Sequence, residues 1–269
     1  MGVAIDTIGS FVTAGATNPT SLKTVTVSPG DSLQIRSFPA TNRAWLESMI
    51  AQTATKGKQR VLSPLLHDNV TGLTFATVDT DSYYLMNRHA RQRLYPTDTL
   101  AVYSSAAAGA SGILALLVYY ENLPSSNARL ANWGDISGQI KSIKGMEIDV
   151  TSSGTIGTWS DTAINATDKQ LHANTDYAVL GMYSSVATGI IAIKGIDTGN
   201  LRMGMSGGIN TYESSNYFVE LSHRSGLPCI PVINAANAPS TYVSAISVAS
   251  VSADNVTLVL AECGTNTGL

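Results

Sequence analysis

Residues 201–210 read LRMGMSGGIN, and within them Gly204-Met205-Ser206-Gly207-Gly208 has the G-x-S-x-G spelling of a nucleophile elbow. Ser206 would attack, His223 would be the general base, and Glu213 or Glu220 would orient the imidazole. Such an elbow needs a strand, a tight turn and a helix in a parallel sheet, so that backbone amides can hold the oxyanion. The sequence does not supply that frame. After Gly208 come Asn210, Ser214, Ser215 and Asn216, which interrupt a helix, and then a strand-like YFVEL (217–221). No alternation of strands and helices precedes Ser206, and its acid and base follow too closely to sit on separate βα units. The reading is a flexible glycine-rich turn between strands, with no catalytic residue and no enzyme activity.

Other chemistry is sparse. The four histidines, His67, His89, His172 and His223, are not at metal-ligand spacing, so no metal-ligating residue is assigned. Asp79 and Asp81 could contribute to a structural calcium site, and Asp197 in GIDTGN is a similar candidate; each also reads as a solvated turn. No cofactor-binding residue is assigned, because there is no phosphate-binding loop and no dinucleotide fingerprint opening a helix. Two basic clusters, KGKQR (56–60) and RHARQR (88–93), could face phosphate or keep a surface solvated. Cys229 and Cys263 sit in apolar, strand-like runs and read as buried free thiols.

Composition narrows the classes. Only 13% of the 269 residues are charged, about half the usual share, and small uncharged residues take their place. Such a surface can be buried against copies of itself at low desolvation cost. The net charge of −3 argues against sequence-specific nucleic-acid binding. The opening MGVAIDTIGSFVTAG lacks a basic n-region and carries Asp6, so no secretion signal is expected. The sequons at Asn69, Asn165 and Asn255 therefore carry no weight. The longest apolar run, GILALLVYY (112–120), is too short to cross a bilayer as a helix.

The elements that would position any site are strands. LKTVTVS (22–28), SLQIRSF (32–38), TLAVYSS (99–105), ILALLVYY (113–120), YAVLGMYSS (177–185), GIIAIKGI (189–196), TYVSAISVAS (241–250) and VTLVLAEC (256–263) are β-rich runs separated by turn residues. Helix candidates are RAWLESMIAQT (43–53) and SSNARLANWG (125–134).

A repeat organises these runs. TLAVYSSAAAGASGILALLVYYENL (99–123) lies against TYVSAISVASVSADNVTLVLAECGT (241–265) at a separation of about 141, ending on Glu121 and Glu262. RAWLESMIAQTATKGKQRVLSP (43–64) lies against YAVLGMYSSVATGIIAIKGIDT (177–198), shifted by about 134. The second member of that pair reads as a hairpin, so 43–53 is assigned to a strand despite its helix-forming residues. The expected fold is all-β: two tandem eight-stranded jelly-roll sandwiches. The expected division is an N-terminal arm over 1–20, a first jelly roll over 21–124, and a second over 125–269 that includes the connector.

These hairpins, with DTGNLRMGMSGG and YFVELSHRSGLPCIPVINAANAP between 197 and 239, resemble the double jelly-roll major capsid proteins of tailless icosahedral viruses that contain a membrane. The corticovirus type is the nearest in size. The resemblance covers about residues 20–269 and implies a structural protein of a bacteriophage virion. Homotrimers would present six jelly rolls as a pseudo-hexagonal capsomer that self-assembles into an icosahedral shell. It further implies synthesis in the host cytoplasm, an underlying lipid membrane as a partner, and a separate vertex or spike protein, because the loops here are short. A carbohydrate- or receptor-binding β-sandwich of a viral fibre or spike is the alternative. Its arguments are the tyrosines near Tyr212 and Tyr217; Trp45, Trp133 and Trp159 are scattered.

Overall fold

The computed structural model describes residues 2–13, 23–24, 43–53, 57–62, 73–77, 81–85, 92–95, 100–105, 111–124, 126–150, 158–164, 171–184, 189–207, 211–246, 254–265 and 267–269. The chain is all-β, built from antiparallel sheets. The first half contributes β1 (Gly2–Thr13), β2 (Lys23–Thr24), β3 (Arg43–Thr53), β4 (Gly57–Leu62) and β5 (Leu73–Thr77). It continues with β6 (Asp81–Leu85), β7 (Gln92–Leu94), β8 (Ala101–Ser105) and β9 (Ser111–Leu123). The second half contributes β10 (Leu130–Ala131), helix α1 (Trp133–Ser137), β11 (Ser142–Val150), β12 (Ser160–Ala163), β13 (Thr175–Ser184) and β14 (Ile190–Gly195). Then follow β15 (Met203–Ser206), helices α2 (Thr211–Ser215) and α3 (Tyr217–Ser225), β16 (Ile230–Asn234), β17 (Thr241–Ile246) and β18 (Asp254–Thr265).

The two halves share one strand order. In the first, β1-β9-β3-β6 form one sheet, with β7 beside β3, and β2-β8-β4-β5 form the other. In the second, β11-β18-β13-β16 form one sheet, extended by β10, and β12-β17-β14-β15 form the other. Counting from β1 in the first half and from β11 in the second, each half thus pairs its first strand with its last and its second with its penultimate. That order is a jelly roll.

The repeat extends to a backbone irregularity. The β3–β9 ladder skips a residue between Leu46 and Ser48, opposite Val118 and Leu117. The β13–β18 ladder skips one between Val179 and Gly181, opposite Leu260 and Val259. A bulge at the same point in both rolls makes Leu117 and Val259 counterparts.

Packing explains the apolar run in β9. Leu114, Leu116, Val118 and Tyr120 enter the first core with Ile8, Leu46 and Val61. Leu117 and Tyr119 face the other way, with Ile5, and join the cluster of the second roll that holds Met203 and Met205. Ile113 and Ala115 do the same through Ile50, Ile190 and Ile246. The strand is covered on both faces, and so its sequence does not alternate.

Several expectations change. Residues 2–13 are not part of an arm: they pair along β9 as the first strand of the first roll. Alternating apolar residues, Ala4 and Ile8 inward and Ile5 outward, place both faces of β1 in apolar surroundings. Residues 126–132 are not helical. They run extended through β10, and only Trp133–Ser137 coils, behind Asn132 and Asp135 as a capping box. YFVEL (217–221) is helical: its spacing buries Tyr217, Phe218 and Leu221 on one face of α3. Residues 43–53 do form a strand, as the repeat required. The run 32–38 lies outside the described residues, as do all of 22–28 except Lys23 and Thr24.

Candidate functional site

Ser206 ends β15, which runs antiparallel to β14 with Ile190 opposite Ser206. The stretch Met203–Ser206 is therefore a buried strand rather than a flexible turn. A parallel strand leading into an oxyanion-binding helix is not formed at this serine. His223 sits in the last turn of α3 with its ring 6.5 Å from that of Trp133. Glu220 lies 3.9 Å from Arg224 on the same helix, and Glu213 is exposed in α2. The helices pack on β13, in the opposite sheet of the second roll from β15.

What β15 does is join the rolls. The Thr7 amide donates to the Arg202 carbonyl at 2.6 Å, and the Gly204 amide donates to the Thr7 hydroxyl at 2.7 Å. The Arg202 amide donates to the Asp6 carboxylate at 3.2 Å. These contacts cap the outer edge of β1, which would otherwise present unpaired backbone groups. Gly204 suits this close approach, since a Cβ there would lie 3.0 Å from the Thr7 side chain, tighter than ordinary contact. Beside this seam Asp161 takes Lys194 at 3.3 Å, Arg202 at 3.4 Å and a hydrogen bond from the Ser244 hydroxyl. Burial opposes the charged form of Asp161, but Ser244, Arg202 and Lys194 outweigh it and lower its pKa. The Arg202 guanidinium also lies 4.9 Å over the Trp159 ring.

A second polar centre fastens the connector to the second roll. The Arg129 guanidinium donates to Asp176 at 2.8 Å, and its Nε donates to the Leu269 backbone oxygen at 2.7 Å. Asp176 also accepts from Asn234 at 2.8 Å and from the Thr267 hydroxyl at 2.7 Å. Burial disfavours the Asp176 carboxylate, yet the hydrogen bonds from Arg129, Thr267 and Asn234 hold its pKa at about 2. Asp197 accepts the Asn234 amide at 2.9 Å and the Asn237 side chain at 3.0 Å. Its carbonyl accepts the Arg129 amide at 2.7 Å. An open cavity of about 480 Å³ lies here, lined by Arg129, Asp176, Asn234, Asn237, Gly268 and Leu269. Every carboxylate around it already holds amide, hydroxyl or guanidinium donors, so the centre is a clamp.

The repeat glutamate Glu262 forms a third cluster. Lys144 approaches it at 3.1 Å and His172 Nδ1 at 3.0 Å. Burial opposes its ionisation, while His172 and Lys144 lower its pKa. Sequence spacing could not reveal this group, because its members come from three strands or strand flanks. Among the described residues, no three His, Cys, Asp or Glu side chains gather as a metal site. Asp79, His67, His89 and residues 88–91 lie outside the described residues; Gly57–Arg60 of the first basic cluster lie in β4. Cys229 and Cys263 are buried thiols outside any disulfide, and burial raises the Cys263 pKa.

No known protein family matches the chain, and no curated protein does. Among solved structures, it is similar at 10% identity to the major capsid protein P2 from bacteriophage PM2, over 98% of this chain and 99% of that one, with a TM-score of 0.24. A T=1 Penaeus vannamei nodavirus structure matches at 10% identity over 98% and 99%, with a TM-score of 0.24. The PBSX exported protein XepA matches at 8% identity over 97% and 86%, with a TM-score of 0.26. Overlaps this loose carry no functional argument, which rests on the geometry of the chain itself.

Proposed function

We propose that the chain is a self-assembling structural subunit of a virion shell, in which three copies bring six jelly rolls together as a pseudo-hexagonal capsomer. The observation that carries this reading is the pair of rolls with identical strand order, locked face to face through β1, β9, β14 and β15. A building block that already contains two equivalent wedges needs only three copies to close a six-lobed ring. The low share of charged residues supports the same reading, since lateral contacts between copies then desolvate few charges.

On this proposal residues 2–124 and 125–269 are the two structural units. The shell is icosahedral and belongs to a bacteriophage, and a separate vertex or spike protein completes it. A lipid membrane beneath it and synthesis in the host cytoplasm belong to the same proposal. The fibre or lectin alternative gains no support from the tryptophans. Trp45 packs on the seam cluster, Trp133 faces His223, and Trp159 lies under Arg202. Tyr217 is buried in α3.

Sedimentation velocity of the purified chain tests the proposal. The expected species has about three times the 28.2 kDa chain mass. A sole 28.2 kDa species at micromolar concentration would overturn it.

A further inference from the structure

The cavity beside the Arg129–Asp176 clamp presents groups that the clamp leaves unused. Its volume of about 480 Å³ lies within the range of small-molecule sites. The lining comes from distant parts of the chain: Arg129 in the connector, Asp176 in β13, Asn234 at the end of β16, Asn237 in the turn Ala235–Ser240, and Gly268 with Leu269 after β18.

The charges here are already matched. Asp176 Oδ1 accepts from Arg129 Nη1 and from Asn234 Nδ2, each at 2.8 Å. Its Oδ2 accepts from the Thr267 amide at 3.2 Å and from the Thr267 hydroxyl at 2.7 Å. Those donors fill the lone-pair positions of a carboxylate and leave no place for a cation. An anion is disfavoured as well, because Asp176 at 2.8 Å and Asp197 at 3.9 Å offset the Arg129 charge. Neutral hydrogen bonding is what remains.

A guanidinium carries its N–H donors in one planar fork. Arg129 uses Nε on the Leu269 backbone oxygen at 2.7 Å and one Nη1 hydrogen on Asp176. The other Nη1 hydrogen and both on Nη2 make no hydrogen bond among the described residues, and the side chain is 24% exposed. Asn237 turns Nδ2 to the Asp197 carboxylate, so its Oδ1 is the acceptor left over, with no donor among the described residues. Both side chains are held by the bonds they do make, and a ligand need not order them. Leu269, packed on the core of the second roll, adds an apolar wall.

We infer that this cavity binds a neutral saccharide. Adjacent ring hydroxyl oxygens accept from the Arg129 fork, a hydroxyl hydrogen donates to Asn237 Oδ1, and the C–H face of the ring packs on Leu269. The pocket lies within one chain, so binding does not depend on assembly of a shell.

The test is titration of the purified chain with maltose and with lactose, followed by saturation-transfer NMR, with inorganic phosphate and calcium chloride as contrasting probes. At least one sugar should bind saturably, with a Kd of about 1 mM. Arg129→Lys keeps a charge for Asp176 but removes the fork, and Asn237→Ala removes the acceptor; each should weaken binding at least about tenfold. Hydrogen exchange on wild type needs no variant: amides of residues 233–238 should gain protection with the bound sugar and not with phosphate. Dextran separates two sources of the ligand. Competition with maltose assigns the pocket to the end ring of a glycan chain, inert dextran assigns it to a free sugar, and either result supports the pocket. No saturable binding of either sugar, sugar binding that both folded variants retain in full, or tighter binding of phosphate or calcium at these residues overturns it.

Discussion

β1 and β11 occupy the same place in the two rolls, and their surroundings differ on one face only. Both send alternate residues inward, Ala4 and Ile8 in one, Met146, Ile148 and Val150 in the other. The outward residues of β1 are apolar or hydroxylic and buried, whereas those of β11 are Ile143, Gly145, Glu147 and Asp149 and exposed. The fold alone therefore does not decide what each outer face meets. Neighbouring sheets do, and the side chains record whether such a neighbour lies on that face within the chain. A permanent cover permits a continuous apolar strand. An exposed face keeps charges, here Glu147 and Asp149, that stay solvated.

The comparison can be broken or sharpened by substitution. The largest effect is expected at the buried member. Ile5→Asp places a carboxylate in the seam and should cost more than about 4 kcal/mol, seen as a collapsed denaturant midpoint. Gly181→Ala comes next. A Cβ there would fall 2.0 Å from the Ser214 carbonyl oxygen, so α2 must leave β13, and about 3 kcal/mol of stability should be lost. Asp176→Asn should cost about 2 kcal/mol, because Arg129 loses its charged partner at the clamp.

The same clamp sets an acid limit. The Asp176 pKa is lowered to about 2 in the folded chain, so its contribution is complete above the unfolded carboxylate value. It should fade as pH drops from about 4 to about 2, and the Asp176→Asn chain should lose that part of the pH dependence in a thermal-melt series. The smallest effect is expected at the open member. Ile143→Ala should shift the stability of the chain by less than about 0.5 kcal/mol in a denaturant melt, because Ile143 is 58% exposed.

Much of the architecture was legible in the sequence. The runs 99–123 and 241–265 each supply two strands, β8–β9 and β17–β18, but not the expected hairpins, since the two strands of each run lie in opposite sheets; the pairing of 43–64 with 177–198 correctly made Arg43–Thr53 a strand. Order and spacing outranked the helix propensity of Leu, Glu and Met there. Residues 2–13 were misjudged because their partner β9 lies about a hundred residues away, and nothing local announces a strand buried on both faces. YFVEL was misjudged because its aromatic and β-branched residues favour strands in isolation, while packing against β13 and β16 selects a helix. Ser206 shows the limit of a motif. Its spelling was present, but an antiparallel strand places its neighbours at the roll–roll seam. The Arg129–Asp176–Asn234–Thr267 clamp was invisible, since its members are scattered from the connector to the final residues.

The central claim is that two equivalent rolls in one chain form a third of a six-lobed ring. Electron microscopy of the purified protein addresses it directly. Hexagonal particles with six lobes around a threefold axis are predicted. Isolated two-lobed particles, with no ring, sheet or shell at any concentration tried, would contradict it.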